Sequence, residues 1–300
     1  MVHGGPRLRP EVGRTHLILV AAQVCFGSLP VVGRLALLRI RPEALVLVRV
    51  FFGALAFAVI ARLLGSSVPP RANRGRLLAC ALLGVVINQE MFVGGLARST
   101  AINASVLGTT IPIFTALAAV ALGKERPSVE RIAGIAIALS GALVLLRVEG
   151  ASLDDSHLLG NLMILVNSIS YGLFLVIVRP LSAEVPAFAL TAALFAIATP
   201  FVAMPGLVAW QATPELTLEE LGFLAFIVAV PTVGAYALTQ MALARAEASL
   251  VASYVYLQPV VAAVGAAVVL GERPGLRTLA GAALIFSGVF ASSRAPAKGG

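Results

Sequence analysis

The segment from Leu96 to Gly141 recurs, shifted by 147 residues, as Leu243 to Gly288. Laid without gaps, the two copies share 15 identities in 46 positions, where a composition this rich in Ala and Leu would give about four by chance. Leu96-Ala97-Arg98, Ala101, Pro112, Glu125-Arg126-Pro127, Ala133-Gly134 and Ser140-Gly141 are answered by Leu243-Ala244-Arg245, Ala248, Pro259, Glu272-Arg273-Pro274, Ala280-Gly281 and Ser287-Gly288. The charged and proline matches are the least accidental. A weaker block, Gly27 to Arg34 against Gly172 to Arg179, is offset by 145 residues, so two residues are inserted between the blocks. Any fold for this chain has to be built from two copies of one unit.

The medium for that fold follows from hydropathy. The chain is 59% apolar and 12% charged, with a mean hydropathy of +0.97, well beyond a soluble domain. A helix needs about 20 apolar residues to cross the hydrocarbon core. Ten runs qualify, at roughly 16–38, 42–64, 75–97, 101–122, 129–147, 158–180, 186–208, 219–243, 248–270 and 276–293. The expectation is an all-α integral membrane protein of ten transmembrane helices: residues 1–15 an N-terminal segment, 16–147 and 158–293 two five-helix repeats, 148–157 an acidic external loop and 294–300 a tail. The basic N-terminal stretch Arg7, Arg9 and Arg14 resembles the head of a secretory signal, but it lacks a small-residue cleavage site and reads as flanking a retained first span.

The net charge of +8 does not point to nucleic acid, because the basic residues sit between apolar runs. Assigned to alternate sides, twice as many Lys and Arg fall on the side of the two termini as on the other, which places both termini in the cytoplasm. An odd number of spans per repeat makes the second copy enter the membrane from the opposite side, so the repeats are inverted. Inverted pairs surround central sites in transporters that expose them to either side in turn.

Ala97-Arg98-Ser99-Thr100-Ala101-Ile102-Asn103-Ala104, Pro112-Ile113-Phe114-Thr115-Ala116-Leu117 and Leu122-Gly123-Lys124-Glu125-Arg126, with the second copy's Leu243-Ala244-Arg245-Ala246-Glu247-Ala248-Ser249-Leu250, Leu257-Gln258-Pro259-Val260 and Leu270-Gly271-Glu272-Arg273, resemble the EamA-type repeat of the drug/metabolite transporter superfamily. The resemblance covers about residues 16 to 293. It implies two inverted five-helix repeats that move a small metabolite, such as an amino acid, a nucleobase or an organic cation, across a bacterial cytoplasmic membrane. It implies no particular substrate.

Candidate binding residues are polar groups inside apolar spans. Glu90 lies beside Asn88 and Gln89 in the third span, and Arg49 in the second; ionisable groups at such depth are functional by default. Each stands about 10 Å from the same end of its span at ~1.5 Å of rise per residue, so the two can pair. Either the pair neutralises itself and fixes the packing of two spans, or Arg49 holds a substrate carboxylate while Glu90 takes a substrate amine or a coupling proton. An Arg in the second span also resembles the family pattern, which favours a structural role. Asn167 and Tyr171, four apart on one helix face, and Tyr236, Gln240, Tyr254, Tyr256 and Gln258 add a second set. Singly these are ordinary interhelical hydrogen bonders; together, aromatic faces with a few amides suit a small amphipathic metabolite. Pro112 and Pro259, at equivalent mid-span positions, should each bend a helix. Arg98, Arg245, Glu125 and Glu272 at span ends read as solvated interface charge.

His3, His16 and His157 are assigned to termini or loops, and Cys25 and Cys80 to apolar runs, so neither a metal, a cofactor nor a nucleophile–base pair is indicated within the membrane. No Gly-x-x-x-x-Gly-Lys-Ser/Thr sequence occurs, which argues against direct ATP coupling. The expected partners are a small-molecule substrate and the bilayer, not nucleic acid. Ten helices can enclose a site in a monomer, and a dimer stays open. The remaining readings are an organic-cation exporter of the same fold and, from another class, a pore; an enzyme is not expected.

Overall fold

A computed structural model of the chain describes residues 10–68, 73–124, 129–146, 156–246 and 248–293. Glu125, Glu247, the acidic 148–155 stretch, the first nine residues and the 294–300 tail lie outside the described residues. Among the described residues the backbone is helical without strands, as apolar runs require where no water is present to satisfy the backbone. The elements are α1 (Pro10–Ala36), α2 (Pro42–Leu63), α3 (Arg74–Arg98), α4 (Ala101–Ala121), α5 (Val129–Leu146), α6 (Ser156–Glu184), α7 (Ala187–Gln211), α8 (Leu218–Leu243), α9 (Leu250–Leu270) and α10 (Leu276–Ser293). Eight of them are long and apolar enough to cross a membrane; α5 and α10 carry shorter apolar cores, Ile132–Val144 and Leu276–Gly288. Their outer faces present large apolar side chains, among them Phe51, Leu55, Met204, Val208, Val264 and Val268.

Local sequence sets the helix ends. Pro42 opens α2, the Asn73 side chain accepts from the Arg76 amide at the start of α3, and Thr217 with Glu220 forms a reciprocal capping box on α8. Glu220 also pairs with Arg39 across 3.6 Å. Gly65, Gly123 and Gly271 follow α2, α4 and α9 with positive φ, where a Cβ would be strained. The helices run past the apolar stretches: His16 lies inside α1 and His157 in the first turn of α6, not in loops. Flanking polar residues continue the backbone ladder beyond the last apolar residue.

The two copies pack through equivalent contacts. A Cβ on Gly27 would meet Val261 at 2.8 Å, and one on Gly172 would meet Phe114 at 2.9 Å; the repeat offsets of 145 and 147 carry the first pair onto the second. Gly141 approaches the Gly281 carbonyl and Gly288 the Gly134 carbonyl, so α5 and α10 cross antiparallel with each glycine facing its counterpart's helix. Gly206 against Leu47 and Gly53 against Phe195 pair α2 with α7 in the same sense. Small residues let these backbones approach closely, as membrane helices need.

The interruptions are paired too. α3 contains a π-helical segment, Leu82–Ile87, and α8 another, Val228–Gly234; the offset of 147 superposes the first on 229–234. α4 is broken at Thr109–Thr110, and the helix resumes at Ile111 with Pro112 in its first turn; α9 passes through a 3₁₀ turn, Tyr254–Leu257, before Pro259 takes the same position. One feature is unpaired. The stretch from Pro259 to Gly271 holds one residue more than that from Pro112 to Gly123, and a π segment at Ala266–Leu270 takes it up.

Candidate functional site

The π segment of α3 widens its turns and leaves carbonyls open to other helices. The Leu83 carbonyl accepts from Ser170 Oγ at 2.6 Å, the Gly84 carbonyl lies 3.1 Å from the Tyr236 hydroxyl, and the Asn88 carbonyl accepts from Asn167 Nδ2 at 2.8 Å. Asn88 Oδ1 receives the Tyr236 hydroxyl at 2.9 Å. Gly84 is required here, because a Cβ would stand 2.3 Å from the Phe174 ring. Through α3, side chains of α6 and α8 are thus tied to one place at the middle of the molecule.

Arg49 reaches the same place from α2. It is 2% exposed, and its Nε donates to Thr232 Oγ1 at 3.0 Å. Thr232 sits in the π segment of α8 and donates onward to the Ile227 carbonyl, five residues back, at 2.8 Å, so its lone pair is turned toward the guanidinium. The Arg49–Glu90 pair that equal depth allowed is not made: among the described residues no carboxylate oxygen lies within 4.0 Å of Arg49. Depth along two axes leaves azimuth open, and Arg49 turns toward Thr232 and Tyr236. A charge buried without a counter-ion costs several kcal/mol.

On α3 and α8, which carry this place, one oxygen of Glu90 and Nε2 of Gln240, whose Oε1 accepts from Ser182 Oγ at 2.9 Å, stand buried without hydrogen-bond partners. Gln89 lies beside Tyr236, and Thr239 beside Tyr171. Apolar walls complete the place: Phe26 stands edge-on to Tyr236 (centroids 5.6 Å apart) and to Tyr171 (6.4 Å), and Phe195 is edge-on to Tyr236 at 5.0 Å. Native interiors satisfy nearly all buried polar groups. A buried cation with no carboxylate oxygen within 4.0 Å among the described residues, on helices that also carry unsatisfied polar atoms and aromatic rings, has the chemistry of a ligand site. Among the described residues no group of three His, Cys, Asp or Glu is placed to hold a metal ion.

A model of the EamA-like transporter family matches residues 13–147 and again 158–294. The chain belongs to the EamA-like transporter family. It is a multi-pass membrane transporter built on two copies of that family's unit. An uncharacterised transporter of Archaeoglobus fulgidus is 26% identical over 282 residues, covering 92% of this chain and 96% of the relative. A probable terminal-alkyne amino-acid exporter of Streptantibioticus cattleyicolor is 28% identical over 252 residues, 82% of each chain. A solved crystal structure shares the fold with a TM-score of 0.67, at 18% identity and covering 94% of this chain and 96% of the other.

Of the residues the sequence singled out, Arg49, Asn88, Glu90, Asn167, Tyr171, Tyr236 and Gln240 lie on the helices that meet at this centre. Asn167 holds the α3 backbone instead of presenting a free amide. Tyr254 and Gln258 face α1: the Tyr254 hydroxyl bonds His16, and Gln258 Nε2 donates to Gln23 Oε1 at 2.6 Å. A shared face on one helix does not say which helix stands opposite. Sequence reasoning noted Gln89 only as a neighbour of Glu90 and passed over Phe26, Thr232 and Thr239. The last two are hydroxyls in apolar context, Thr232 four residues before Tyr236 and Thr239 three after it and next to Gln240; that clustering on α8 was the available signal.

Proposed function

We propose that this transporter is a secondary carrier for an amino acid or a closely related carboxylate, exposing one central site to each side of the membrane in turn. The observation that carries the reading is Arg49, a fully buried guanidinium with one hydrogen bond to Thr232 and, among the described residues, no carboxylate oxygen within 4.0 Å. A substrate carboxylate supplies the missing charge and meets the planar fork of donors. Glu90, with an unpartnered buried oxygen, then serves a substrate amine or a coupling proton, and the rings of Phe26, Tyr171 and Tyr236 cover the rest of the molecule. The amino-acid exporter named for Streptantibioticus cattleyicolor supports the same substrate class.

In this reading α1 to α10 all cross the membrane, the two repeats are inverted, and both termini face the cytoplasm of a bacterial cell. The equivalent contacts of the two copies support exchange between two states of similar energy. Aromatic walls alone would suit an organic cation, but an unneutralised Arg49 opposes one. Counterflow in proteoliposomes tests the proposal: a panel of labelled amino acids, nucleobases and quaternary amines should show saturable exchange of an amino acid. Large unsaturable flux would mean a pore, and exchange of quaternary amines alone would reject the substrate class. A pH-gradient-driven flux unchanged in Glu90→Gln would remove the proton role.

A further inference from the structure

The turn between α3 and α4 is gripped from both sides by residues distant in sequence. The last carbonyls of α3, Leu96 and Ala97, accept from Arg34 Nη1 at 3.1 and 3.2 Å. The first amides of α4, Ala101 and Ile102, each donate to one oxygen of the Glu272 carboxylate at 3.1 Å. A cation thus meets a helix C-terminus and an anion the following N-terminus, both in the sense the helix dipoles favour. Glu272 is therefore not free interface charge. It comes from the second repeat, and Thr278 of that repeat adds a hydrogen bond to Asn103 Oδ1 at 3.0 Å.

The geometry that delivers Glu272 is built into the end of α9. Gly271 turns the chain at φ 65°, and the Glu272 amide closes onto the Ala266 carbonyl at 3.1 Å, spanning the extra residue of the π segment. At its far end the gripped arm Ala101–Gly108 is already cut from the rest of α4 by the break at Thr109–Thr110. The arm therefore has a joint at one end and a charged hold at the other. Glu272 is only half-buried, at the edge of a cleft of about 280 Å³ that also touches Thr100, Asn103 and Thr278, so the hold can be exchanged for water. A carboxylate placed to stiffen the fold permanently would gain by being sealed; this one is not.

We propose that Glu272 and Arg34 form a releasable clamp that keeps this end of the transporter shut over the central site. Glu272 ties the second repeat to the first, and its release frees the Ala101–Gly108 arm to swing at Thr109–Thr110 and open a path to Arg49. The proposal rests on the alternating-access reading, and its test separates the two.

In a Cys25→Ala, Cys80→Ala background, a cysteine at Thr239, 2% exposed at the centre, is labelled in oriented proteoliposomes with a membrane-impermeant methanethiosulfonate from each side. Glu272→Gln should raise labelling from the clamp side roughly tenfold, the shift in open population that loss of a charge-assisted hydrogen bond allows, and Arg34→Gln should act in the same direction. Labelling unchanged in folded, monodisperse variants would overturn the clamp. The converse uses Asn103→Cys with Thr278→Cys, bridged by a short reducible bis-methanethiosulfonate: bridging should stop exchange and reduction restore it, and exchange undiminished by the bridge would again overturn the clamp. If labelling responds to Glu272→Gln while no amino acid exchanges, the clamp stands and the transport reading falls. If exchange proceeds with labelling unmoved, the clamp alone falls.

Discussion

Replacing Gly288 by Ala tests the paired crossing of α5 and α10. The new Cβ would stand 2.4 Å from both the Ala138 amide nitrogen and the Gly134 carbonyl oxygen. These are backbone atoms of a facing helix, so no side chain can turn aside to make room. Ordinary contact begins near 3.5 Å, so the two axes must separate locally by about 1 Å, which forfeits dispersion along the whole crossing; overpacking of this kind costs roughly 1 to 3 kcal/mol. Gly141→Ala meets the Gly281 carbonyl at 2.7 Å and the Ile285 amide at 2.8 Å and should cost a little less. Because either change forces the same separation, the double variant should lose less than the sum of the two. Gly222→Ala is the internal control, with nothing within 4 Å of its added Cβ: it should be neutral or stabilising by up to about 1 kcal/mol through helix propensity. Thermal unfolding in detergent, followed by reaction of buried Cys80 with a thiol-reactive fluorophore, reads all four proteins, at roughly 2 to 4 °C per kcal/mol. A Gly288→Ala protein as stable as wild type, or a Gly222→Ala protein that loses as much, would refute the close crossing.

Thr232→Val keeps the side-chain shape but leaves Arg49 Nε without its acceptor; a loss of about 1 to 3 kcal/mol in unfolding free energy and a raised KM in exchange are expected, and an unchanged KM would mean that Arg49 keeps its pose by other contacts. Tyr236→Phe removes the donor to Asn88 Oδ1 and the Gly84 carbonyl; unfolding assays should show a loss of about 1 to 3 kcal/mol, with none seen if water replaces the hydroxyl. Gly271→Ala sets an L side chain at φ 65°, a strain of about 1 to 2 kcal/mol, and should mimic Glu272→Gln in the labelling of a cysteine at Thr239.

The repeat, the helical class and most members of the central cluster were legible because hydropathy and identity depend on the chain alone. Arg49 and Glu90 stood out as ionisable groups in apolar spans; Arg49 reaches Thr232 on α8, and Glu90 lies beside Glu43 of α2. Their pairing was not legible, since matched depth fixes one coordinate and helix rotation the other. The same gap hid the partners of Tyr254 and Gln258, His16 and Gln23, which are on α1. Hydroxyls such as Thr232 and Thr239 pass unnoticed among apolar residues, although a π segment turns Thr232 into the acceptor for Arg49. The π segments leave little local trace. The segment at Ala266–Leu270 did leave one, in the single residue by which the distance from Pro259 to Gly271 exceeds that from Pro112 to Gly123. Glu272 looked like surface charge because its partners are backbone amides, which carry no sequence signature.

In the proposed reading Arg49 holds a substrate carboxylate. The direct measurement is equilibrium binding of an exchanged amino acid and of its carboxamide to purified wild type and to Arg49→Gln. In wild type the carboxamide should bind roughly 10- to 100-fold more weakly, the worth of a charge-assisted hydrogen bond, and in Arg49→Gln the two ligands should bind alike. Equal binding by wild type, or a preference for the acid that survives the loss of Arg49, would contradict the account.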